Sequence, residues 1–267
     1  MKTLVNGVTI AYDDRGSGFP LVFLHAFPMD RTMWLEQAAA LSVRFRVITI
    51  DLRGHGESDA PYWRYGLDQY ADDVQAVLAH LQIHSALFIG LSMGGYVEFE
   101  LYRRHPRSIR GLILADTRAE GDRPEQIRWR FELAQRAAAS GADVVASEML
   151  PKLLSPGTYE HNPGLVEEVR AIMRSAPIPG IIGDLMALAG RADSTELLPA
   201  IAVPTLVVVG EDDRLTPPDD AALMAEAIPG ARMIMIPGAG HLSNMEQPVL
   251  FNRAVEEFAA AVAARHI

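Results

Sequence analysis

The sequence predicts an α/β domain with a mostly parallel sheet of eight strands and helices on both faces. Three observations predict it. Short apolar runs alternate with helix-like segments, a Gly-x-Ser-x-Gly stands where one run meets a helix, and one long helical stretch interrupts the alternation. Alternating strands and helices form parallel sheets with right-handed crossovers. We expect a core made of residues 1–116 and 194–267, with residues 117–193 as a helical cap.

The composition limits the function classes. A chain of 267 residues can form one large α/β domain with an insertion. The formal net charge of -10 argues against nucleic acid or an anionic membrane as main partner, because both require clustered positive charge. The absence of cysteine excludes disulfides and cysteine nucleophiles. We see no signal peptide and no run of membrane-spanning length, so we expect a cytoplasmic protein. Homo-oligomer formation is left open.

The first half of the chain begins with a hairpin signal. Asn6-Gly7 separates two short strand-like runs, as in a two-residue hairpin, and residues 13–18 are interpreted as a loop. Continuous apolar runs then indicate buried strands, and apolar residues at helical spacing indicate helices. We expect strands at 21–24, 46–50, 86–90 and 109–115, and helices at 33–41, 70–81 and 95–104.

The second half contains the helical interruption. We find no convincing strand between 117 and 193, and we expect helices at 124–140, 143–154, 165–175 and 179–190. Loops such as 155–157 separate them. Residues 193–196 resemble a capping box that starts another helix. The alternation then resumes with strands at 205–209 and 232–236 and helices at 218–227 and 248–264.

The central motif is Gly90-Leu91-Ser92-Met93-Gly94. A serine between a strand and a helix occupies the tip of a sharp elbow, where its hydroxyl is exposed above the sheet. The two flanking glycines allow strand and helix to approach closely. The helix N-terminus directs N–H groups and partial positive charge toward the serine, which favours an oxyanion. Ser92 is therefore a candidate nucleophile, and the alternative is a glycine-rich turn with a solvated serine.

Other polar segments also follow strands. In open parallel sheets, ligands bind beyond the carboxyl ends of the strands. Besides Ser92, the segments 25–28, 210–213 and 238–241 fall at such ends. They provide an acid and then a histidine after the serine, which is the chain order expected of this elbow.

These motifs resemble those of the α/β-hydrolases. The likeness is greater to small bacterial carboxylesterases, 3-oxoadipate enol-lactonases and metal-free haloperoxidases (perhydrolases), and it extends over nearly the whole chain. Ala26 is one departure, since family members usually carry glycine there. The resemblance implies an α/β-hydrolase fold with a small-molecule ester as partner. It rests on residues 25–28, 51–58, 90–95, 116–118, 210–213 with Pro217, and 240–241.

The roles follow from the chemistry of acyl transfer. His241 would take the proton of Ser92, and Asp213 would orient His241 and stabilise its charged form. The backbone N–H groups of Phe27 and Met93 would stabilise the oxyanion.

Two other aspartates compete with Asp213 for the role of the acid. Asp212 is its neighbour, but the family spacing from Gly210 selects Asp213. Asp116 is a stronger rival because it also ends a strand next to the elbow, and otherwise we expect it to pair with Arg118. No histidine–carboxylate cluster has the spacing of metal ligands, so we expect no metal and no cofactor.

The cap would cover the site and provide part of a pocket. Candidate pocket residues are His25, Trp34, Trp129, Met149 and Met186, although His25 also reads as a loop-bracing hydrogen bonder. An inward-pointing arginine among 128, 130 and 136 would favour an acidic substrate.

The function expected is a serine carboxylesterase acting on short to medium acyl esters through an acyl-enzyme. The alternatives are a lactonase or a perhydrolase, and after them a non-enzymatic ligand-binding member of the fold.

Overall fold

A computed structural model of the chain describes residues 1–62 and 65–264. The strands among them are β1 (Lys2–Val5), β2 (Val8–Gly16), β3 (Pro20–Leu24), β4 (Arg46–Ile50), β5 (Ala86–Leu91), β6 (Ile109–Ala115), β7 (Thr205–Gly210) and β8 (Arg232–Ile236). They form one sheet in the order β1-β2-β4-β3-β5-β6-β7-β8. Only the pairings of β2 with β1 and with β4 are antiparallel. The predicted fold class, a mostly parallel eight-stranded sheet, is confirmed.

Helices connect the strands and form the long interruption after β6. They are α1 (Leu35–Leu41), α2 (Leu67–His80), α3 (Met93–Arg104), α4 (Pro124–Ser140), α5 (Ala142–Leu153), α6 (Pro156–His161), α7 (Pro163–Ser175), α8 (Ile178–Ala189), α9 (Pro218–Ala227), α10 (Ser243–Glu246) and α11 (Pro248–Ala264). Helices α4 to α8 all lie between β6 and β7 in the chain. The boundary of a separate cap at 117–193 stays a prediction.

The central strands are apolar because both faces of the sheet are covered. Every residue of β5 and of β7 is buried. Strands covered by helices on both sides read as continuous runs of Val, Ile and Leu. The outer strand β8 is more exposed, with only Ile236 buried. The buried strands at the centre of the sheet hold in place the loops that follow their carboxyl ends.

Strand β2 is longer than the sequence predicts, because residues 13–16 belong to it and not to a loop. Tyr12 to Gly16 pair in antiparallel register with Ile50 to Arg46 of β4. The charged residues fit there because Asp14 forms an ion pair with Arg46 at 2.7 Å. Paired backbone and a cross-strand ion pair offset the polar composition.

Several short helical segments also differ from the prediction, among them α10 and a 3-10 helix at Pro106–Ser108, neither of which the sequence predicts. The expected loop at 155–157 opens helix α6, because Ser155 Oγ caps it by accepting a hydrogen bond from Thr158 N at 3.2 Å. The segment expected to begin a helix at 193–196 leads into a 3-10 helix at Thr195–Ala200. There Asp193 accepts a bond from Thr195 N at 2.8 Å, in place of a reciprocal capping box. A further 3-10 helix, Arg31–Trp34, precedes α1.

The helical segment is fastened to the core at a buried polar cluster. Asp184 of α8 accepts a hydrogen bond from the hydroxyl of Tyr70 on α2, and His55 Nε2 lies 2.5 Å from the other Asp184 oxygen. All three side chains are fully buried. A Cβ added to Gly180 would lie 1.8 Å from the Gly54 carbonyl oxygen, so the two backbones touch beside this cluster. The loop after β4 and helix α8 therefore hold each other in place.

Helices α7 and α8 pack their apolar faces inward, with Val169, Met173, Ile181 and Leu185 fully buried. Within residues 1–62 and 65–264, no single helix is long and apolar enough to cross a membrane. By length and composition alone, α7 and α8 would pass only as a pair bent by 93°.

Candidate active site

Ser92 occupies a strained turn between β5 and α3. Its φ of 56° and ψ of -109° lie outside the regions that L-residues favour. Such a conformation costs on the order of 1–3 kcal/mol and persists only where the surrounding structure imposes it. Here the surroundings are glycines. A Cβ on Gly90 would lie 2.4 Å from the Gly94 carbonyl carbon, and one on Gly94 would lie 2.2 Å from the Leu24 carbonyl oxygen.

His241 and Asp213 form a buried pair. His241 Nδ1 lies 2.8 Å from Asp213 Oδ2, and the side chains of both residues are almost completely buried. The carboxylate also accepts bonds from the Thr216 hydroxyl at 2.8 Å and from the backbone N–H groups of Leu215 and Thr216. These bonds hold the acid so that one oxygen faces the imidazole.

The charges of His241 and Asp213 stabilise each other. Burial alone would lower the pKa of His241, but the adjacent Asp213 charge and hydrogen bond raise the pKa above its ordinary value. Burial alone would raise the pKa of Asp213, but His241 and Thr216 lower it below its usual range. The arrangement therefore favours an ionised carboxylate beside a histidine that binds a proton readily.

Asp116 is engaged elsewhere. Its carboxyl accepts hydrogen bonds from Gly210 N at 2.7 Å and from the Ser243 hydroxyl at 2.5 Å. Burial, followed by the nearby Asp213 charge, raises the pKa of Asp116 well above its usual range. The expected pairing of Asp116 with Arg118 is wrong, because Arg118 instead forms an ion pair with Asp122 at 3.0 Å.

Two backbone N–H groups flank Ser92. Met93 is the first residue of α3, where an N–H has no partner within the helix. Phe27 lies in the loop after β3 and precedes Pro28 through a cis peptide bond. Within the described part of the chain, neither N–H makes a backbone hydrogen bond. Both residues line the same cavity as Ser92.

A cavity of about 120 Å³ joins these groups. Ser92, His241, Phe27 and Met93 line it together. Of the residues expected from the cap, Trp129 of α4 and Met149 of α5 also line it. Asp213 is not in the wall, because it lies behind His241.

Three expected pocket residues lie elsewhere. His25 is fully buried, and its two ring nitrogens meet Ala26 O at 2.9 Å and Leu52 N at 3.0 Å, so it braces the loop. Trp34 is fully buried between Phe23 and Phe251. Met186 lines a different cavity beside α2. His25 and Trp34 are buried in the core. Met186 lies on a different side of α8 from Leu188, which lines the cavity at Ser92.

Arginine side chains contribute positive charge to the cavity wall. Arg118 and Arg130 both line it, and both form ion pairs with the buried Asp122. Arg191 reaches the same carboxylate at 2.9 Å and lies 4.3 Å from the centre of the Tyr96 ring. Three guanidinium groups thus share the Asp122 carboxylate, so the cavity wall carries two arginines together with their buried counter-charge.

An outer pocket of about 300 Å³ adjoins the cavity at Ser92. The two share walls formed by Gln126, Trp129, Met149 and Leu215. Trp129 is held in place by a 2.5 Å hydrogen bond from its indole N–H to Glu148. The small cavity at Ser92 therefore opens beside a larger pocket whose walls include both apolar and charged side chains.

The sequence did not indicate several wall residues. Tyr96 and Leu188 reach the cavity from helices whose orientation no local pattern shows. Leu215 and Thr216 follow Asp213 closely, and this proximity to the acid is a signal that could have found them. Among the described residues, no group of three or more histidine, aspartate or glutamate side chains could hold a metal ion.

The fold and this site define the class of protein. The profile of the alpha/beta hydrolase fold family matches residues 20–248, and the chain belongs to that family. It is 32% identical to 3-oxoadipate enol-lactonase 2 of Acinetobacter baylyi, over 94% of this chain and 91% of that protein.

The solved structures similar to this chain include an esterase and an enol-lactonase. A thermophilic esterase from Thermogutta terrifontis, solved with malate bound, superposes with a TM-score of 0.95 at 40% identity, and the match covers 98% of this chain and 97% of that one. The enol-lactonase from Burkholderia xenovorans LB400 gives a TM-score of 0.91 at 32% identity, over 97% and 100% of the two chains. This chain is thus similar both to an esterase and to enol-lactonases.

Proposed function

We propose that this α/β hydrolase is a serine carboxylesterase that cleaves short to medium acyl esters through an acyl-enzyme. The observation that carries the proposal is the cavity lined by both Ser92 and His241, with Asp213 Oδ2 2.8 Å from the imidazole Nδ1. A pure ligand-binding protein has no need of an acid, a histidine and a strained serine together. The small inner volume supports an acyl group of limited size.

The first half-reaction forms the ester of Ser92. His241 removes the Ser92 proton as the oxygen attacks the acyl carbon, and Asp213 stabilises the imidazolium that results. Among the described residues, no hydrogen bond joins the two side chains in the free enzyme, and catalytic bonds of this kind often tighten only when substrate binds. The imidazolium then gives its proton to the departing alkoxide.

The oxyanion forms next to Phe27 and Met93. Their two backbone N–H groups donate to it, and the loss of one such donor typically costs about 3 kcal/mol in the barrier. Water then attacks the acyl-enzyme with His241 again as base, which releases the carboxylic acid and restores Ser92.

The test is hydrolysis of p-nitrophenyl esters from acetate upward. We expect turnover that peaks at a short or medium acyl chain and falls by about 10⁶-fold in Ser92→Ala, as in other serine hydrolases. Equal turnover in Ser92→Ala would refute the nucleophile. A fluorophosphonate probe that leaves wild-type Ser92 unlabelled would favour the non-enzymatic ligand-binding alternative.

A second candidate is a lactonase for an acidic lactone. Arg118 and Arg130 in the cavity wall favour it, since a guanidinium binds a carboxylate well. The enol-lactonase relatives support it as well. A perhydrolase would use the same groups, and no feature of the cavity singles it out.

Two lactones of the same ring size, one with a carboxylate and one neutral, test the lactonase candidate. We expect Arg130→Gln to raise KM for a carboxylate-bearing lactone by about tenfold, with little effect on the neutral lactone of the same ring size. Arg128→Gln is the matched control, because Arg128 lies on the same helix and is exposed. If wild type hydrolyses the carboxylate-bearing lactone with no higher kcat/KM than the neutral lactone, the candidate of a lactonase for acidic lactones fails.

A further inference from the structure

Two side chains tie the loop that carries His241 to the start of helix α6. The Ser155 hydroxyl donates a hydrogen bond to Gly238 O at 3.1 Å, and Glu246 bonds to both segments. Glu246 Oε1 accepts a hydrogen bond from Gly240 N at 2.7 Å. Its other oxygen accepts bonds from Ser155 N at 2.7 Å and from the Thr158 hydroxyl at 2.6 Å. Gly240 immediately precedes the histidine, whereas Ser155 and Thr158 begin helix α6.

Backbone contacts run beside this carboxylate. His241 N and Leu242 N both donate to the carbonyl oxygen of Leu153, at 2.9 and 3.2 Å. A Cβ added to Gly240 would lie 2.7 Å from Ser155 N, so the histidine loop lies directly against the end of α5. The position of His241 therefore depends on the cap as well as on the sheet.

We propose that Glu246 is a positioning residue that fastens the His241 loop to the start of helix α6 and so sets the imidazole over Ser92. The catalytic consequence rests on the proposed esterase function. The attachment itself rests on the hydrogen bonds alone.

A carboxylate is needed here because all three partners are donors. A glutamine has one acceptor oxygen, so its amide NH₂ would face an N–H or a hydroxyl that also donates. Glu246→Gln keeps the shape of the side chain and breaks one side of the link. Buried donors left without acceptors weaken the contact beyond the loss of one bond.

Charge provides a second signature. Asp213 after β7, Asp116 after β6 and Glu246 on α10 each raise the pKa of His241 when they are ionised. Burial raises the pKa of both Asp116 and Glu246 themselves. Glu246→Gln removes one of these charges. The acidic limb of kcat/KM should therefore shift to lower pH, whereas general loosening of the fold would lower the rate without that shift.

The experiment uses the full chain and two readouts. We expect Glu246→Gln to slow both p-nitrophenyl acetate hydrolysis and fluorophosphonate labelling of Ser92 by about tenfold or more, since small misplacements of a catalytic group are costly. Glu211→Gln is the matched control. Exposed Glu211 accepts a bond from Gly238 N at 3.0 Å, in the same loop but without contact to the cap, and should leave both rates within about twofold.

Hydrogen exchange gives a readout that does not depend on activity. Peptides that cover residues 153–159 and 238–246 should both exchange faster in Glu246→Gln, and Thr158→Val should produce the same pattern more weakly from the cap side. Unchanged exchange in both segments would overturn the proposal. The proposal would also be overturned if Glu211→Gln caused the same loss of rate. It would be overturned as well if Glu246→Gln lowered the rate without shifting the acidic limb of kcat/KM. If wild-type Ser92 fails to label, the esterase proposal falls, and the exchange result still decides whether Glu246 links the segments.

Discussion

Asp116 Oδ2 lies 2.5 Å from the hydroxyl of Ser243. Asp116 directly follows β6, the strand that pairs with β5 and so lies beside the serine elbow. Its other oxygen accepts the Gly210 N–H, which opens the segment that leads to Asp213. Asp116 thus contacts the segments before Asp213 and after His241 and binds neither side chain. Its geometry is that of a brace between two loops, while Asp213 contacts the imidazole directly.

Substitution of the two aspartates should separate these roles. We expect Asp213→Asn to lower kcat by about 10⁴-fold, because the imidazole loses its orienting acceptor, as in a serine protease triad. Asp116→Asn should cost about tenfold or less, since an amide can still accept from Gly210 N. Steady-state kinetics on p-nitrophenyl acetate measures both effects. A crippling Asp116→Asn beside a mild Asp213→Asn would reverse the assignment of the acid.

The pH dependence should report the raised pKa of His241. As the base, His241 must be neutral in the free enzyme, so kcat/KM should fall as the pH drops through its pKa. Because Asp213 raises that pKa, the midpoint should lie above the ordinary histidine value of about 6.5. In Asp213→Asn the residual activity should have its midpoint at lower pH. A wild-type midpoint well below the ordinary value would contradict this electrostatic account.

The elbow glycines should tolerate no side chain. A Cβ at Gly90 would lie 2.4 Å from backbone in α3, where no flexible side chain can move aside. We expect Gly90→Ala to lower the free energy of unfolding by at least about 2 kcal/mol. Urea denaturation measures this. Gly157→Ala in α6 is the control, because the nearest atom to its Cβ would be 3.9 Å away, and it should be neutral or slightly stabilising.

The buried pair of Asp184 and His55 should stabilise the junction of α8 with the core. Asp184→Asn leaves a buried histidine without its counter-charge, and we expect a loss of about 3 kcal/mol in the free energy of unfolding near pH 6. Burial lowers the pKa of His55, but Asp184 raises it above the ordinary value overall. The contribution of the Asp184–His55 pair to the free energy of unfolding is therefore complete below about pH 6.5, and it is lost as the pH rises through the pKa of His55 in the folded protein.

The measurement is urea denaturation of wild type and Asp184→Asn, once near pH 6 and once at alkaline pH. The difference between the two proteins should shrink at alkaline pH. Asp143→Asn is a suitable control because the pair of Asp143 with Arg174 is exposed at the surface. A difference that stays constant from acid to alkaline pH would show that the charge of His55 is not involved.

Local patterns predicted most of the elements because each had a local cause. The fully apolar runs of β5 and β7 reflect cover on both faces, and this can be read from hydrophobicity alone. The polar end of β2 was missed because its stabilising partner, Arg46, lies on another strand. Helix α6 was missed because proline and glycine near its start also suit a loop.

The sequence by itself determined the α/β class, the strained serine elbow and the candidates Ser92, Asp213 and His241, since short motifs at strand ends carry them. Only the tertiary structure decided what surrounds them. It moved Trp34 into the core between Phe23 and Phe251 and turned Arg118 and Arg130 toward the cavity. It also placed Glu246 between the cap and the histidine loop. The reason is physical: a motif constrains the backbone that contains it, whereas the walls of a cavity depend on how distant helices pack.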